Sequence, residues 1–292
     1  MVPERVVQLR SMVDPNGFGL EIGPSHNPVF PKREGFNVEI LDHVDQATLI
    51  DKYRQLGVDP SKIEPVDYVS NGVPLHEVIK RRHEYDYIFS SHAIEHVTDF
   101  LGYLTSCELM LKPGGRIVMA VPDKRYTFDA LRPISTTGQV LEAFFRKQTR
   151  HSAAAVYDFI ADFVRMDGRE VWTQHDSGAL TFAHAIEGAR FLLENTIRQD
   201  GPYHDVHGWV FTPNSFRLIL HDLKVLGLVQ VDEYHMREIG SLEFHVGLAV
   251  GAPGHGQDRM ALQKLIVREQ LISSLRILAN DDQRLKTLLA EF

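Results

Sequence analysis

The fold is decided by the stretch Phe18-Gly19-Leu20-Glu21-Ile22-Gly23, in which a buried apolar strand stops abruptly at a glycine. Glycine lacks a Cβ atom, so the backbone can turn sharply after the strand. The further glycines of a dinucleotide fingerprint are absent, because Pro24 and Ser25 follow Gly23 directly. An ordinary strand-to-loop glycine is the alternative interpretation. Since ligands bind at the carboxyl edge of open parallel sheets, the stretch predicts a ligand site here.

Four further strand-like segments, separated by helical or turn-rich sequence, lie at residues 36–42, 63–69, 85–91 and 116–122. Strands that alternate with helical crossovers predict a parallel sheet with helices on both faces. After a long interruption, the alternating segments 228–234 and 242–250 are close enough in sequence to pair as an antiparallel hairpin. The chain is therefore predicted to be an α/β protein with a doubly wound sheet.

The composition is that of a globular protein with an acidic balance. The 292 residues include 31 Lys and Arg against 39 Asp and Glu, for a net charge of −8. Nonspecific nucleic-acid binding needs basic residues that displace counterions, so no nucleic-acid partner is expected. The single cysteine, Cys107, excludes an intramolecular disulfide. Because the chain shows neither a membrane-length apolar run nor an apolar signal core, we expect a cytoplasmic protein without a membrane partner.

Acidic residues follow the predicted ligand turn along the chain. Asp42 lies about 20 residues after Gly23 and ends the second strand segment, where a carboxylate can accept hydrogen bonds from both ribose hydroxyls of an adenosine ligand. Asp67 is predicted to end the third segment, where its carboxylate could accept a hydrogen bond from an adenine amino group. Each carboxylate could instead be a solvated strand end. Taken together, the two acids favour an adenosine-bearing ligand.

Several motifs resemble those of the class I S-adenosylmethionine-dependent methyltransferases, over roughly residues 15–125 and 209–250. The segments that carry the resemblance are residues 20–25, Asp42, residues 91–97 with the sequence Ser-His-Ala-Ile-Glu-His-Val, and residues 111–119 with the sequence Leu-Lys-Pro-Gly-Gly-Arg-Ile-Val-Met. More narrowly, residues 122–129 and 207–213 are similar to members associated with glycan and polysaccharide biosynthesis. The resemblance implies a Rossmann-like sheet of seven strands with the last antiparallel, and S-adenosylmethionine as the cofactor.

The chain is expected to divide into three parts. Residues 1–125 and 208–251 form the Rossmann-like cofactor domain, and residues 126–207 form a helical insertion that acts as a substrate lid. Residues 257–292 form a C-terminal helical tail. Apolar residues near helical spacing in this tail need a partner, which is either its own domain or a second subunit. A homodimer through the C-terminal helix is therefore one expectation.

The resemblance also implies which residues bind the cofactor. The expected set is Glu21, Gly23, Pro24, Ser25, Asp42, Asp67, Ser91 and His92. Glu21 and Gly23 would hold the methionine part, with Asp42 on the ribose and Asp67 near the adenine. Ser91 and His92 would line the wall that faces the transferred methyl group.

Catalysis and substrate binding are assigned to later segments. A hydroxyl oxygen is a poor nucleophile, so its proton must be taken as the new bond forms, and histidine suits that task. The chain has 15 histidines, and the predicted candidates for the base are His207, His92, His204 and Asp123. Groups that could clamp a phosphate or carboxylate of the substrate follow the fifth strand segment. These are Lys124, Arg125, Tyr126 and Arg132.

The sequence thus predicts an O-methyltransferase for a sugar, nucleotide sugar or related small molecule. No metal is required, although His204 and His207 leave a metal-assisted variant open. A second hypothesis is a cofactor-binding partner protein that transfers nothing. A third is a zinc hydrolase, because His92-Ala93-Ile94-Glu95-His96 matches the His-x-x-Glu-His pattern. That pattern belongs inside a helix, whereas His92 directly follows a predicted strand, which disfavours the hydrolase.

Overall fold

A computed structural model describes residues 2–70, 72–198 and 202–279, together with residues 282, 284, 285 and 287. The strands are β1 (Gly19–Ile22), β2 (Val38–Asp42), β3 (Tyr68–Val69), β4 (Tyr85–Ser91), β5 (Leu111–Pro122), β6 (Val164–Met166), β7 (Leu180–Phe182), β8 (Val231–Glu238) and β9 (Glu243–Val250). The helices are α1 (Glu4–Arg10), α2 (Gln46–Gln55), α3 (Leu75–Ile79), α4 (Phe100–Met110), α5 (Thr137–Phe145), α6 (Ala153–Ala161), α7 (Ile186–Ile197), α8 (Pro213–Val225) and α9 (Arg259–Ala279).

Seven of these strands form one mixed sheet in the order β3-β2-β1-β4-β5-β9-β8. The first five pair in parallel, and β9 is antiparallel to both β5 and β8. This confirms the predicted seven-stranded sheet with its last strand antiparallel, and the closing hairpin. The strand order reverses between β1 and β4, so the loops after these two strands open a crevice at the carboxyl edge.

The strands at the centre of the sheet are buried because helices cover both faces. Every residue of β1 is buried, and so are Tyr85, Ile88 and Phe89 of β4. The helix α4 packs its apolar residues into the same core, and Asp99 begins it by accepting a hydrogen bond from the Gly102 N–H at 2.8 Å. The apolar core therefore fixes the strand ends that carry the polar residues of the crevice.

Strand bounds differ from the prediction at two places. The strand β3 contains only Tyr68 and Val69, although the Asp67 N–H already donates to Ile40 O of β2 just before the strand begins. The strand β5 begins five residues early, at Leu111. Its Lys-Pro-Gly-Gly run bulges from the ladder, so that Tyr85 faces Leu111 while Tyr87 faces Arg116.

The insertion between β5 and α8 is not purely helical. Besides α5, α6 and α7 it contains the antiparallel pair β6 and β7. Apolar residues at helical spacing predict one helix over residues 151–166, but α6 ends at Ala161 and the chain turns at Asp167 and Gly168, both with positive φ. Three-residue strands are too short to show an alternating pattern in sequence.

The C-terminal helix α9 packs against α8 of its own chain. Leu262 and Ile266 are buried there, and the Glu269 carboxylate accepts a hydrogen bond from the Asn214 side chain at 2.6 Å. Much of the predicted tail beyond Ala279 lies outside the described residues. Within the described part of the chain, no helix is both long and apolar enough to span a membrane.

Candidate functional site

The crevice begins at the turn after β1. Gly23 has φ +66°, and its N–H donates to Leu41 O at 2.8 Å, which ties the turn to β2. Ser25 also has a positive φ, of +49°, although it is not glycine. Such conformations are strained for residues with a Cβ atom and cluster at binding sites. A Cβ built on Gly23 would meet only the Ala93 Cβ at 3.4 Å, so the turn lies directly against the loop after β4.

Asp42 ends β2 beside this turn, as predicted for a ribose ligand. Its Oδ2 accepts the Ser25 N–H at 2.9 Å, and its Oδ1 lies 2.8 Å from the His43 N and 2.6 Å from His43 Nδ1. A carboxylate has about four acceptor positions, so these three contacts leave Oδ2 free to accept one more hydrogen bond. The turn, its two positive φ angles and this remaining acceptor position fit an adenosine-bearing cofactor.

Glu21 stabilises the loop that follows the turn. Its carboxylate is 1% exposed and accepts the N–H groups of Val29 and Phe30 at 2.6 and 3.0 Å. Burial raises the pKa of Glu21 to about 7, although the two N–H groups favour the charged form. The side chain expected to hold the methionine part therefore positions the loop that follows Gly23. The backbone of Pro24 lies within that loop and bonds the Asn27 N–H through its carbonyl at 2.9 Å.

Asp67 does not reach the crevice, so the prediction that it ends the third strand is wrong. It precedes β3 and lies opposite the middle of β2. Its carboxylate accepts the Ile40 N–H at 2.7 Å and pairs with Lys32 Nζ at 2.5 Å. The ladder partner of a short edge strand determines where that strand ends, and the sequence alone does not reveal the partner.

Ser91 ends β4 and His92 follows it, and both join a partly buried network that the sequence did not predict. His92 Nε2 lies 2.7 Å from Glu243, and the same carboxylate contacts His245 Nε2 at 2.7 Å. Arg5 of α1 donates to Glu243 at 2.6 and 2.8 Å and to the Ser91 hydroxyl at 2.6 Å. Burial opposes the charge of Glu243, but the bonds from His245, His92 and Arg5 hold its pKa well below the ordinary value.

Glu243 was missed because it opens β9 rather than ending a strand. An antiparallel strand begins at the edge where its parallel neighbours end, and Glu243 pairs with Pro122 at the end of β5. The hairpin predicted in sequence was the signal that could have placed it at the crevice.

A second polar cluster joins the insertion to the crevice. His207 Nδ1 lies 2.6 Å from Asp129 Oδ2, and Arg132 donates to Asp129 Oδ1 at 2.6 Å and to the His207 carbonyl at 2.7 Å. All three residues are buried. Burial opposes the charge of Asp129, but His207 and Arg132 outweigh it and lower the pKa of Asp129. An ionised carboxylate therefore orients the imidazole through Nδ1, and Nε2 remains able to accept a proton.

The Nε2 atom of His207 faces Glu95, which lies in the short 3₁₀ turn after β4. Glu95 is 1% exposed, and among the described residues neither of its oxygens has a hydrogen-bond donor. Its Oε1 lies 4.0 Å from His207 Nε2, 4.0 Å from His96 Nε2 and 3.6 Å from His92 Nδ1. His96 Nδ1 in turn lies 2.8 Å from Asp205 Oδ1. A buried carboxylate is thus surrounded by three imidazole rings.

The helical geometry of a zinc peptidase is not formed by His92 and His96. The chain leaves β4 at Ser91, His92 has φ +51°, and only Ile94–His96 form a single 3₁₀ turn. His92 Nε2 is directed to Glu243 instead. His204 is half-buried, and its Nε2 has no hydrogen-bond partner within the described part of the chain, so no bond joins it to this cluster.

Most of the residues after β5 that were predicted to act as the base or to bind substrate are instead bonded to other groups of the protein. Asp123 is fully buried, and Arg125 binds both of its oxygens, with Nε 2.8 Å from Oδ1 and a second nitrogen 2.5 Å from Oδ2. Arg125 also pairs with Glu238 at 2.9 Å. A carboxylate held this way is a poor base, because Arg125 occupies both oxygens. The predictions that Asp123 is the base and that Arg125 binds substrate are therefore not supported by the geometry.

Tyr126 and Arg132 are also engaged internally. The Tyr126 hydroxyl accepts a hydrogen bond from Arg276 of α9 at 3.1 Å, and Arg132 serves Asp129 as described above. Lys124 differs, because no ion pair joins it to any carboxylate among the residues that the structure describes. Burial lowers the pKa of Lys124 to about 8, which the nearby Asp129 and Asp123 charges partly offset.

A cleft of about 330 Å³ opens beside the His207 cluster. Arg132, His151 and Asp158 contribute polar groups to its wall, and Trp209 and Val210 contribute apolar ones. Burial lowers the pKa of His151 to about 4, with the nearby His96 charge acting in the same direction. The size lies at the lower end of the range for small-molecule sites, so the cleft suits a compact ligand.

A family model and several solved structures are similar to this chain. The family model described as "Methyltransferase domain" matches residues 14–223. Similar solved structures include an S-adenosylmethionine-dependent methyltransferase from Mesorhizobium loti, with 13% identity, a TM-score of 0.45, and 83% of this chain and 95% of that chain covered. The CcbJ methyltransferase from Streptomyces caelestis has 11% identity and a TM-score of 0.44, covering 85% and 89%. The comparison with curated proteins gave no match.

The family model covers most of the chain, including β1 to β5, the insertion and α8. The seven-stranded sheet with its antiparallel last strand and the turn after β1 are the features that a cofactor-binding domain of this kind requires. The chain belongs to the methyltransferase domain family and is an S-adenosylmethionine-dependent methyltransferase.

Proposed function

We propose that this methyltransferase acts on a hydroxyl group of a sugar, a nucleotide sugar or a related small molecule. The observation that carries the proposal is the buried His207–Asp129 pair, with His207 Nδ1 2.6 Å from the carboxylate. This contact keeps Nε2 available for the proton of an acceptor hydroxyl. The cleft beside the pair has Arg132, the partner of Asp129, in its wall together with His151 and Asp158, which supports a compact acceptor that carries hydroxyl groups.

When bound, S-adenosylmethionine supplies a methyl group activated by a positively charged sulfur. The chain's own residues hold and align it. Gly23 and Ser25 shape the turn, Asp42 offers its remaining acceptor position to the ribose, and His92, fixed by Glu243, lines the wall at the end of β4. Alignment of two reactants and exclusion of water account for much of the rate in such transfers.

His207 takes the acceptor proton as the new oxygen–carbon bond forms. The hydroxyl O–H bond breaks, its proton passes to Nε2, and Asp129 stabilises the charged imidazole that results. A correctly placed general base of this kind contributes about 10²–10⁴-fold to the rate. Arg132 keeps Asp129 in place by donating to its other oxygen.

The surroundings of Lys124 are an argument for an acidic acceptor, such as a nucleotide sugar. Of the three cations predicted to bind substrate, Lys124 is the one that has no ion pair among the described residues, while Arg125 and Arg132 are held by carboxylates. A lysine of this kind can bind a phosphate as a compact point charge. We expect Lys124→Met to raise KM for phosphorylated acceptors several-fold and to leave KM for neutral sugars unchanged.

The test is methyl transfer to a panel of sugars and nucleotide sugars, followed by mass spectrometry of the products. We expect His207→Ala and Asp129→Asn to lower kcat about 10²–10⁴-fold while cofactor affinity, measured by calorimetry, stays within twofold. His221→Ala is the matched control, because its ring contacts Asp222 on the surface of α8. Transfer only to nitrogen acceptors, or full activity without His207, would overturn the proposal.

A homodimer and a cytoplasmic location also remain proposals. An exposed apolar stripe on α9 supports the dimer. It consists of Met260, Val267, Leu271 and Leu278. Light scattering across a concentration series tests it, since Leu271→Glu should then give monomers; a monomeric native protein contradicts it.

A further inference from the structure

We propose that Glu95, His96 and His207 bind a divalent transition-metal ion. One donor atom from each residue lies within 4.8 Å of the others. The Glu95 carboxylate is 1% exposed, and within the described residues neither oxygen receives a hydrogen bond. An ionised carboxylate is costly to bury without a partner, so this one is prepared for a positively charged ligand.

The two histidines are oriented as metal ligands are. His207 Nδ1 is 2.6 Å from Asp129, and His96 Nδ1 is 2.8 Å from Asp205, so each ring presents Nε2 to Glu95. Metal-binding histidines commonly donate their other ring nitrogen to a carboxylate, which fixes the tautomer and raises the basicity of the ligating atom. Two independent carboxylate–histidine pairs that converge on one unpartnered carboxylate are difficult to explain by packing alone.

The donor set indicates the class of ion. Two imidazoles and one carboxylate suit Zn²⁺, Fe²⁺, Co²⁺ or Ni²⁺, whereas Mg²⁺ and Ca²⁺ prefer oxygen ligands throughout. Ligands around a tetrahedral ion lie roughly 3.3–3.5 Å apart for bonds of about 2.1 Å. The 4.0 Å separations from Glu95 Oε1 to the two Nε2 atoms must therefore contract by less than 1 Å, and no separation in the set exceeds 4.8 Å, so side-chain rotations can close the site.

Three protein ligands leave at least one position open, as catalytic metal sites do. Resting on the proposed function, the inference assigns that position to the acceptor hydroxyl. The ion lowers the pKa of the hydroxyl, and the proton released passes to solvent. In the ion-bound protein His207 is therefore a ligand, and its role as the base belongs to the metal-free protein. The sequence required no metal, so a resident ion goes beyond that expectation.

The experiment measures metal binding independently of activity. The full chain is stripped with a chelator and titrated with Co²⁺, whose visible absorption reports imidazole coordination, and bound Zn²⁺ is counted by elemental analysis. We expect one ion per chain and no competition by Mg²⁺. Glu95→Gln and His96→Ala should weaken binding at least 100-fold, and His221→Ala, a histidine–aspartate pair elsewhere on the surface, should leave it unchanged.

Asp205→Ala is a second test, chosen in case the variants of buried residues do not fold. The Asp205 side chain is 62% exposed, so its replacement should leave the protein folded. We expect it to weaken binding 10- to 100-fold while the unfolding temperature of the metal-free protein stays the same. Absence of a coordination spectrum, or equal binding by the Glu95 variant, overturns the inference. If the stripped protein binds no ion yet methylates a hydroxyl, the inference fails and the proposed function stands. If the protein binds the ion but transfers a methyl group to no hydroxyl, the proposed function fails and the metal site stands.

Discussion

Two buried glutamates at the same edge of the sheet have opposite surroundings. Glu21, at β1, and Glu95, just after β4, are each 1% exposed. The carboxylate of Glu21 receives the N–H groups of Val29 and Phe30, whereas within the described residues that of Glu95 receives none and faces imidazole rings. Equal burial therefore conceals different roles. The cofactor side of the crevice is completed by its own hydrogen bonds, and the acceptor side is left to be completed by a ligand.

The difference shows which side of the crevice has a buried polar group that still lacks a hydrogen-bond partner among the described residues. Satisfied polar groups stabilise the turn that shapes the cofactor site before any ligand arrives. An unsatisfied buried carboxylate lowers the stability of the free protein, and that loss is recovered only on binding. Four predictions, ordered from the largest expected effect to the smallest, test the contrast between Glu21 and Glu95.

Glu21→Leu should destabilise the protein by about 2–5 kcal/mol, because two buried N–H groups lose their acceptor. Urea unfolding measures the change. Glu34→Leu is the control, since Glu34 is an exposed partner of Arg10 and its loss should change stability by less than about 1 kcal/mol. Similar values for the two variants would remove the distinction between the two sides of the crevice.

The pH dependence of stability should also follow Glu21. Its pKa is raised from 4.5 to about 7 in the folded protein, so this group favours the folded state below pH 4.5 and loses that contribution as pH rises through 7. The loss is on the order of 3 kcal/mol. Urea unfolding at pH 5 and pH 8 should show it, and Glu21→Gln should remove this part of the pH dependence. An unchanged slope in the variant would contradict the assignment.

Asp42→Ala should weaken S-adenosylmethionine binding about 10- to 100-fold, as expected for the loss of one hydrogen bond to a charged group and of the support for Ser25. Calorimetric titration measures the affinity. Asp67→Ala is a sharp control, because Asp67 binds Lys32 and the β2 backbone away from the crevice. Equal losses of affinity in both variants would show that Asp67 also belongs to the cofactor site.

Glu95→Gln should stabilise the metal-free protein by about 1–2 kcal/mol, because a neutral amide is less costly to bury unpartnered than a carboxylate. The measurement belongs at pH 8.5, above the ordinary titration range of histidine. Destabilisation by Glu95→Gln would show that Glu95 is already well paired.

The fold could be predicted from sequence further than the site could. The strand at residues 85–91 has the predicted bounds, because an aromatic and β-branched run reports local burial. Asp67 was misplaced because strand ends depend on the ladder partner. Arg125 was misread as substrate-facing because two of its acidic neighbours, Glu238 and Glu269, lie more than a hundred residues away in sequence.

The bond between Arg5 and Glu243 has a consequence for biosynthesis. The two residues are 238 positions apart, so at about 5–20 residues per second the ribosome makes Glu243 roughly 10–50 s after Arg5. During that interval α1 lacks the carboxylate that anchors it to the sheet. A nascent chain interrupted before β9 would leave His92 and Arg5 without their shared partner, so the crevice is finished among the last steps of synthesis.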